Sequence, residues 1–160
     1  METYRIPKEK MTVLLRVPPE PPDEKTVFLS PFADSHQGRE TLSDLLLKKD
    51  RFLPVLEKDS YLLLVQKSAI QWIEVLKPEQ AEWYYFEMRQ GTSKARILVE
   101  FTTGETMEGH IHALTPEGDR RVSDVINLSQ GFLHLETREG LYLINLEKVN
   151  TVKIIEEEAS

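Results

Sequence analysis

Two histidines that stand two residues apart are the first side chains in this chain whose types and spacing suggest chemistry. His110 and His112 lie on a predicted strand, so their side chains point to the same face of a sheet. Two imidazoles on one face can begin a transition-metal site, which needs a further ligand from His36, His134 or Glu108. Since neither a cysteine nor a Glu-x-x-His pattern supports such a site, the sequence predicts no metal and no other cofactor.

Two Ser-Asp pairs are further candidates for reactive groups, and we interpret them as helix caps. Thr41 precedes Asp44 by three residues, which is the spacing of a capping box, and an apolar run follows. Ser123 and Asp124 occupy the equivalent place in the second half of the chain. Such side chains beside a helical turn usually accept hydrogen bonds from backbone amides. The sequence therefore predicts structural caps at all four positions.

Sequence signatures of enzymes are missing from the chain. It contains no P-loop, no glycine-rich dinucleotide turn, no Gly-x-Ser-x-Gly elbow and no zinc-protease motif. Its many carboxylates are explained by solubility, because a general acid needs burial or a like-charged neighbour to shift its pKa. The sequence predicts a non-catalytic protein.

The charge balance disfavours nucleic acid as a partner. The net charge is −7, and affinity for nucleic acid depends largely on lysine and arginine side chains that neutralise phosphates. Two local basic clusters stand against this balance, one at Lys48, Lys49 and Arg51 and one at Arg120 and Arg121. We expect both clusters to be solvated loops.

Four consecutive aromatic residues stand between the two halves of the chain. Trp83, Tyr84, Tyr85 and Phe86 follow a helix that Pro78 is expected to open. Exposed rings in such a run anchor protein interfaces, so the four residues are interface candidates. Rings of this kind also stack on bases. The alternative is that the two halves share these rings as a common packing surface, because small modules need additional apolar burial.

The chain carries one sequence pattern twice. Leu42-Ser43-Asp44-Leu45-Leu46 precedes Phe52-Leu53, and Val122-Ser123-Asp124-Val125-Ile126 precedes Phe132-Leu133 with the same eight-residue step from aspartate to phenylalanine. Four further pairs of stretches match in the same order: 12–17 with 96–101, 26–29 with 107–114, 61–65 with 141–144, and 70–75 with 149–154, with one residue gained or lost before the last pair. Self-similarity of this kind predicts two copies of one small module.

The repeat predicts the division of the 160 residues. We expect a lead-in at 1–11, a first repeat at 12–76, an aromatic connector at 77–95, a second repeat at 96–155 and a disordered acidic tail at 156–160. In the second repeat, Thr103-Gly104-Glu105 predicts the turn of a hairpin, and Gly109 predicts a bulge or sharp bend in the returning strand. Modules of this size bury a modest core, so they should pack on each other or on another subunit.

One stretch of the second repeat resembles the first motif of the Sm-like small β-barrel family. It runs Val99-Glu100-Phe101-Thr102-Thr103-Gly104-Glu105-Thr106-Met107-Glu108-Gly109-His110-Ile111, an apolar alternation with a turn glycine and a bend glycine. Residues 141–155 look like the fourth and fifth strands of that family. The resemblance implies a mainly β fold of two tandem five-stranded Sm-like barrels or curved sheets with short helical turns.

The residues with which Sm-like proteins typically bind uridine-rich RNA are missing from the matching positions. Those proteins use an asparagine in one loop and an Arg-Gly pair in another. Here the second link is Asn145-Leu146-Glu147-Lys148-Val149 and the loop at 115–121 lacks asparagine. The resemblance therefore supports the fold and gives little support to RNA binding. The chain is also similar to bacterial proteins of unknown function that share the Ser-Asp then Phe-Leu pattern.

The sequence predicts an interaction or assembly module of the cytoplasm. The chain has no cysteine, no secretion signal and no apolar run long enough to cross a membrane. Exposed strand edges in small barrels invite strand addition, so we expect a protein partner or a homo-oligomer. An Sm-like RNA-binding protein and a sensor of a small ligand or metal remain the alternatives.

Overall fold

A computed structural model describes residues 7–112 and 121–158, and within them the chain forms one open antiparallel sheet of ten strands with four short α-helices. The prediction of a mainly β fold with short helical turns is confirmed. The strands form where apolar and polar residues alternate: in the first strand Met11, Val13 and Leu15 are buried, while Thr12 is exposed. This alternation places one face of the strand on a core and the other towards solvent.

The elements follow one another in a similar order in the two halves of the chain. The strands are β1 (Glu9–Arg16), β2 (Asp23–Leu29), β3 (Phe52–Leu56), β4 (Leu62–Gln66), β5 (Trp72–Val75), β6 (Lys94–Phe101), β7 (Thr106–His112), β8 (Phe132–Glu136), β9 (Leu141–Asn145) and β10 (Val149–Glu157). The helices are α1 (Leu42–Leu47), α2 (Pro78–Ala81), α3 (Trp83–Met88) and α4 (Val122–Leu128). Short 3₁₀ turns, Lys67–Ala69 and Leu146–Lys148, precede β5 and β10.

The two halves of the sheet have the same strand order. The complete order is β10-β6-β7-β8-β9-β5-β1-β2-β3-β4, so the first half reads β5-β1-β2-β3-β4 and the second half β10-β6-β7-β8-β9. The pairing registers also correspond. Each pair of opposite residues in the first half has an equivalent pair in the second half: Val13–Lys25 matches Ile97–Gly109, Thr26–Leu56 matches His110–Glu136, Leu53–Val65 matches Leu133–Ile144, and Val13–Val75 matches Ile97–Ile154. The turn between β3 and β4 has one residue more than the equivalent turn between β8 and β9, whereas the sequence comparison suggested that the extra residue lies after β4.

Strands β5 and β9 join the two halves, and we call their pairing the seam. Each strand sends alternate side chains into two different cores. Ile73 of β5 and Leu143 of β9 belong to the core of the first half, whereas Trp72 and Ile144 belong to the core of the second half. Because both faces of both strands are covered, all five residues of β9 are buried.

Three strands extend beyond the bounds that the sequence suggested. β1 begins inside the expected lead-in, β6 begins inside the expected connector, and β10 continues into the expected acidic tail as far as Glu157. The charged ends are held by the ladder, since Glu9 pairs with Leu29 and Glu157 pairs with Ala95. Backbone pairing of this kind does not depend on side-chain hydrophobicity. The expected continuation of β7 to residue 114 lies outside the described residues.

The two Ser-Asp pairs differ in their capping roles. Thr41 and Asp44 form a complete capping box at α1, with the Asp44 amide donating to Thr41 Oγ1 at 3.2 Å. Ser123 and Asp124 are not the N-cap of α4, because that helix begins at Val122, with Arg121 at the N-cap position and no side-chain cap bond from it. The first-turn amide of Val122 instead donates to Glu157 Oε1 at 3.2 Å.

Gly109 allows β7 and β8 to approach closely, and the register of β7 against β6 continues past it without the expected bulge. A Cβ atom at this position would lie 2.5 Å from the backbone oxygen of Glu136. That contact is with backbone of an adjacent strand and cannot be relieved by rotating a side chain.

We expect Gly109→Ala to lower the free energy of unfolding by about 1–3 kcal/mol, because the added methyl group overpacks the β7–β8 contact. Urea denaturation measures the change, and Thr106→Ala, at an exposed position of the same strand, is the matched control. Equal stability of the two variants would contradict the close approach.

Candidate functional site

A fully buried carboxylate lies where the two halves meet the helices between them. Glu82, between α2 and α3, accepts a hydrogen bond from the backbone amide of Ser43 at 3.1 Å. Its other carboxylate oxygen lies 2.6 Å from Nε2 of His134 on β8. A buried carboxylate is costly unless it is hydrogen-bonded, so these two partners fix the position of the helices against both halves.

Tyr85 of α3 connects two ionisable groups of β8. Its ring stacks on that of His134 with centroids 3.9 Å apart and planes 5° from parallel. Its hydroxyl donates to Glu136 Oε2 at 2.7 Å. Burial, together with the hydrogen bond and negative charge of Glu136, raises the pKa of Tyr85 far above its ordinary value. Tyr85 therefore stays a neutral donor.

His112 of β7 completes this group. Its Nε2 lies 3.0 Å from Glu136 Oε2 and 3.4 Å from Nη1 of Arg89, and its Nδ1 lies 3.1 Å from the hydroxyl of Thr92. Burial lowers the pKa of His112, and the positive charges of Arg89 and Lys94 act in the same direction, against the opposing charge of Glu136. We call Glu82, Tyr85, His112, His134 and Glu136 the histidine–aromatic cluster.

The helices between the halves make a similar contact with the loop before α1. His36 Nε2 lies 2.7 Å from Asp44 Oδ2, and its ring stacks on Tyr84 with centroids 4.0 Å apart. Burial opposes protonation of His36, but hydrogen bonds to the Gln37 carbonyl and to Asp44 outweigh it and raise the pKa of His36. The pKa of Asp44 is lowered: burial opposes this shift, but hydrogen bonds from Thr41 and His36 outweigh it.

The structure does not bring the histidines together as metal ligands. His36, His112 and His134 each pair with a different carboxylate, and His110 lines the same cleft as His112, beside Arg96. Within residues 7–112 and 121–158, no three histidine, aspartate or glutamate side chains are placed to hold a metal ion.

The four aromatic interface candidates pack inside the protein and do not form an exposed patch. Tyr85 is buried, and Trp83, Tyr84 and Phe86 are half-buried. The indole of Trp83 donates to the Arg39 carbonyl at 3.1 Å, and Phe86 packs against the core of the first half. These contacts correspond to the alternative of a shared packing surface, which small cores need.

The described residues of the two basic clusters, which we expected to lie in solvated loops, are mostly exposed. Lys48 pairs with the buried carboxylate of Glu40 at 2.7 Å, whereas Lys49 and Arg51 are exposed. Arg121 is exposed at the start of α4, and Arg120 lies outside the described residues.

Large exposed apolar side chains concentrate on the two end strands of the sheet. On β4 and in the turn before it, Tyr61, Leu62 and Leu64 are 71%, 63% and 58% exposed. On β10, Ile154 and Ile155 are 42% and 36% exposed. In the described part of the chain neither strand has a neighbour on its outer side. Contiguous apolar groups beside unpaired backbone amides and carbonyls mark a binding surface.

A cleft of about 540 Å³ opens next to β4. Leu15 of β1, Val17 and Pro21 of the following loop, and Leu63 and Leu64 of β4 form its apolar wall. The corresponding region of the second half is filled, because Trp72 of β5 belongs there to the same buried core as Val99, Phe101 and Ile144. The first half therefore has an open place where the second half has a tryptophan.

The comparisons with known proteins leave the family undetermined, since no family model, no curated protein and no solved structure matches the chain. Among the described residues, no helix has the length and apolar character needed to cross a membrane.

Glu82→Ala should lower the free energy of unfolding by about 3–5 kcal/mol, because it leaves His134 and the Ser43 amide without their buried partner. Glu79→Ala, at an exposed position of α2, is the control and should change stability little. Thermal or urea denaturation compares the two, and a cost at Glu82 no larger than that at Glu79 would contradict the structural role.

The His36 contact predicts a pH dependence of stability. Because its folded pKa is raised above the unfolded value of 6.5, its stabilising effect is complete below that pH and is lost as pH rises through the folded pKa. The difference in unfolding free energy between the wild type and His36→Gln should therefore shrink between pH 6 and pH 8.5 (about the range in which histidine titrates). Urea titrations at several pH values measure it, with His110→Gln as a control, and a difference that grows with pH would contradict the assignment.

Proposed function

We propose that this protein is a non-catalytic assembly module, built from two Sm-like small β modules, that binds further copies of itself through β4 and β10. The observation that carries the proposal is the correspondence between the seam and the two free edges. Strand β9 of the second half pairs with β5 of the first half. Strand β4 holds the place of β9 in the first half, and β10 holds the place of β5 in the second half.

The correspondence specifies a register for the contact between copies. Val65 matches Ile144, because they lie opposite Leu53 and Leu133 respectively. Val152 of β10 lies opposite Val99 of β6, and Ile73 of β5 lies opposite Leu15 of β1, so Val152 matches Ile73. In the seam Ile73 lies opposite Leu143 and Trp72 opposite Ile144. The equivalent pairs between two copies are Leu64 with Val152, and Val65 with Thr151.

Side-chain chemistry at the two edges supports this register. In the seam the side-chain amide of Asn145 donates to the backbone carbonyl of Ile70 at 2.8 Å. Gln66 at the end of β4 also carries an amide and matches Asn145, so it has the same donor to offer to Val149 of a neighbouring copy. The exposed leucines of β4 and isoleucines of β10 would be covered by the same contact.

The contact between copies should be weaker than the seam. Trp72 fills the core of the second half, but its counterpart on β10 is Thr151, which is much smaller and would fill little of the cleft beside β4. We therefore expect assembly that is reversible and depends on protein concentration. The contact joins two different edges, so copies add head to tail and form a closed ring or an open filament.

Leu64→Lys should weaken self-association by about tenfold or more, since it places a charge in the apolar contact. Leu47→Lys is the matched control, because Leu47 is 59% exposed at the end of α1 and belongs to neither edge strand. Sedimentation velocity over a range of protein concentrations measures the association. A wild-type chain that stays monomeric at all concentrations, or equal effects of both substitutions, would refute the proposal.

Thr151→Trp tests the register by gain of function. A tryptophan at this position should enter the cleft of the neighbouring copy and strengthen association by about tenfold. Asn150→Trp adds the same side chain at the neighbouring exposed position, which the irregularity in the ladder leaves unpaired with β6, and is the control for nonspecific association. If the two variants associate equally, the proposed register is wrong even if the chain does assemble.

A further inference from the structure

Two neighbouring clefts meet at His112, on the side of the second half that faces α3. A polar cleft of about 400 Å³ lies above β6, β7 and the turn after β8. A smaller cleft of about 190 Å³ lies between α4 and β8 and continues past Tyr85. His112 lines both clefts, so they adjoin at this side chain, and we call the pair of clefts the depression. Its combined volume lies in the size range of small-molecule sites.

The larger cleft has more cations than carboxylates in its lining, although the protein as a whole is acidic. Arg89, Lys94, Arg96 and Arg138 line it together with Glu108 and Glu136, an excess of two positive charges, and Glu156 and Glu158 offset part of this excess from outside the lining. The net charge of the chain is −7. A concentration of positive charge in a cleft of an acidic protein attracts anions to that place.

The cations of this cleft are only loosely paired with carboxylates. Arg89 and Arg96 lie 3.6 and 3.8 Å from Glu136 and Glu108. Glu156 of β10 approaches Arg96 at 3.8 Å, and Glu158, directly after that strand, approaches Lys94 at 3.9 Å. These distances exceed those of hydrogen-bonded ion pairs, such as the 2.6 Å between Arg16 and Glu105. The N–H donors of the cleft therefore remain open to a ligand.

The smaller cleft has an apolar wall, part of which is exposed. Val125 and Leu128 of α4 and Phe132 and Leu133 of β8 form it. Leu128 is 57% exposed, and Phe132 is only partly buried. Tyr85, His134 and Ser129 add polar groups to the same cleft. Exposed apolar side chains around a recess are the usual lining of a ligand site.

We propose that this depression binds a small organic anion with an apolar body. The anionic group, a phosphate or carboxylate, lies among Arg89, Arg96 and Arg138, and the apolar body passes His112 to rest on Leu128 and Phe132. The ligand is held by charge at one end and by apolar burial at the other, so each end contributes to its affinity. This site uses neither β4 nor the outer side of β10 and is independent of the proposed assembly.

Calorimetric titration of the full chain with phenyl phosphate tests the inference, with inorganic phosphate and phenol as the two halves of the probe. Phenyl phosphate should bind about tenfold more tightly than either fragment. Its affinity should fall as the salt concentration rises, because the contact to the anion is electrostatic.

Matched substitutions locate the binding. Arg96→Gln and Leu128→Ser should each weaken phenyl phosphate binding by about fivefold, whereas Lys10→Gln and Leu47→Ser, at exposed positions elsewhere, should leave it unchanged. Circular dichroism confirms that each variant is folded. Absence of saturable binding, equal affinity for phosphate and phenyl phosphate, or unchanged binding in both cleft variants would each overturn the inference.

Discussion

The pairing of β5 with β9 is the interaction on which the rest of the structure depends. Each strand supplies buried side chains to the core of its own half and to that of the other half. Neither core is complete without the strand that the other half provides. The seam is also closed by polar contacts: Asn145 bonds to the Ile70 carbonyl, and the Tyr142 hydroxyl donates to Glu74 at 3.2 Å. The two halves therefore stabilise one another, as small cores require.

The helices between the halves bring ionisable groups to the same junction. Glu82 contacts both α1 and β8, and Tyr85 spans His134 and Glu136. Such buried polar groups fix one arrangement because each has few alternative partners. The consequence is a rigid connection in which the depression at His112 has defined walls. The free edges, in contrast, carry apolar side chains that residues 7–112 and 121–158 leave uncovered.

Local features could be predicted from the sequence, and features that depend on the partner strand could not. Alternation placed β1 and β6, and the spacing of Thr41 and Asp44 predicted the cap of α1, because these signals lie within a few residues. Leu141–Asn145 is a run without alternation, and such a run does not reveal which core each side chain enters. Glu82 and Glu136 look like ordinary surface carboxylates in the sequence, since only folding brings His134, His112 and Tyr85 to them. The acidic end of β10 looked disordered because its ladder with β6 is a property of the backbone.

The correspondence of the two halves has a consequence for the arithmetic of any closed ring of these chains. Every chain brings its five-stranded units in pairs, so the ring would hold an even number of them. Around the ring, the seam within each chain, which tryptophan stabilises, would alternate with the contact between chains, which threonine leaves weaker. Dilution would break only the contacts between chains, and the ring would dissociate into intact monomers.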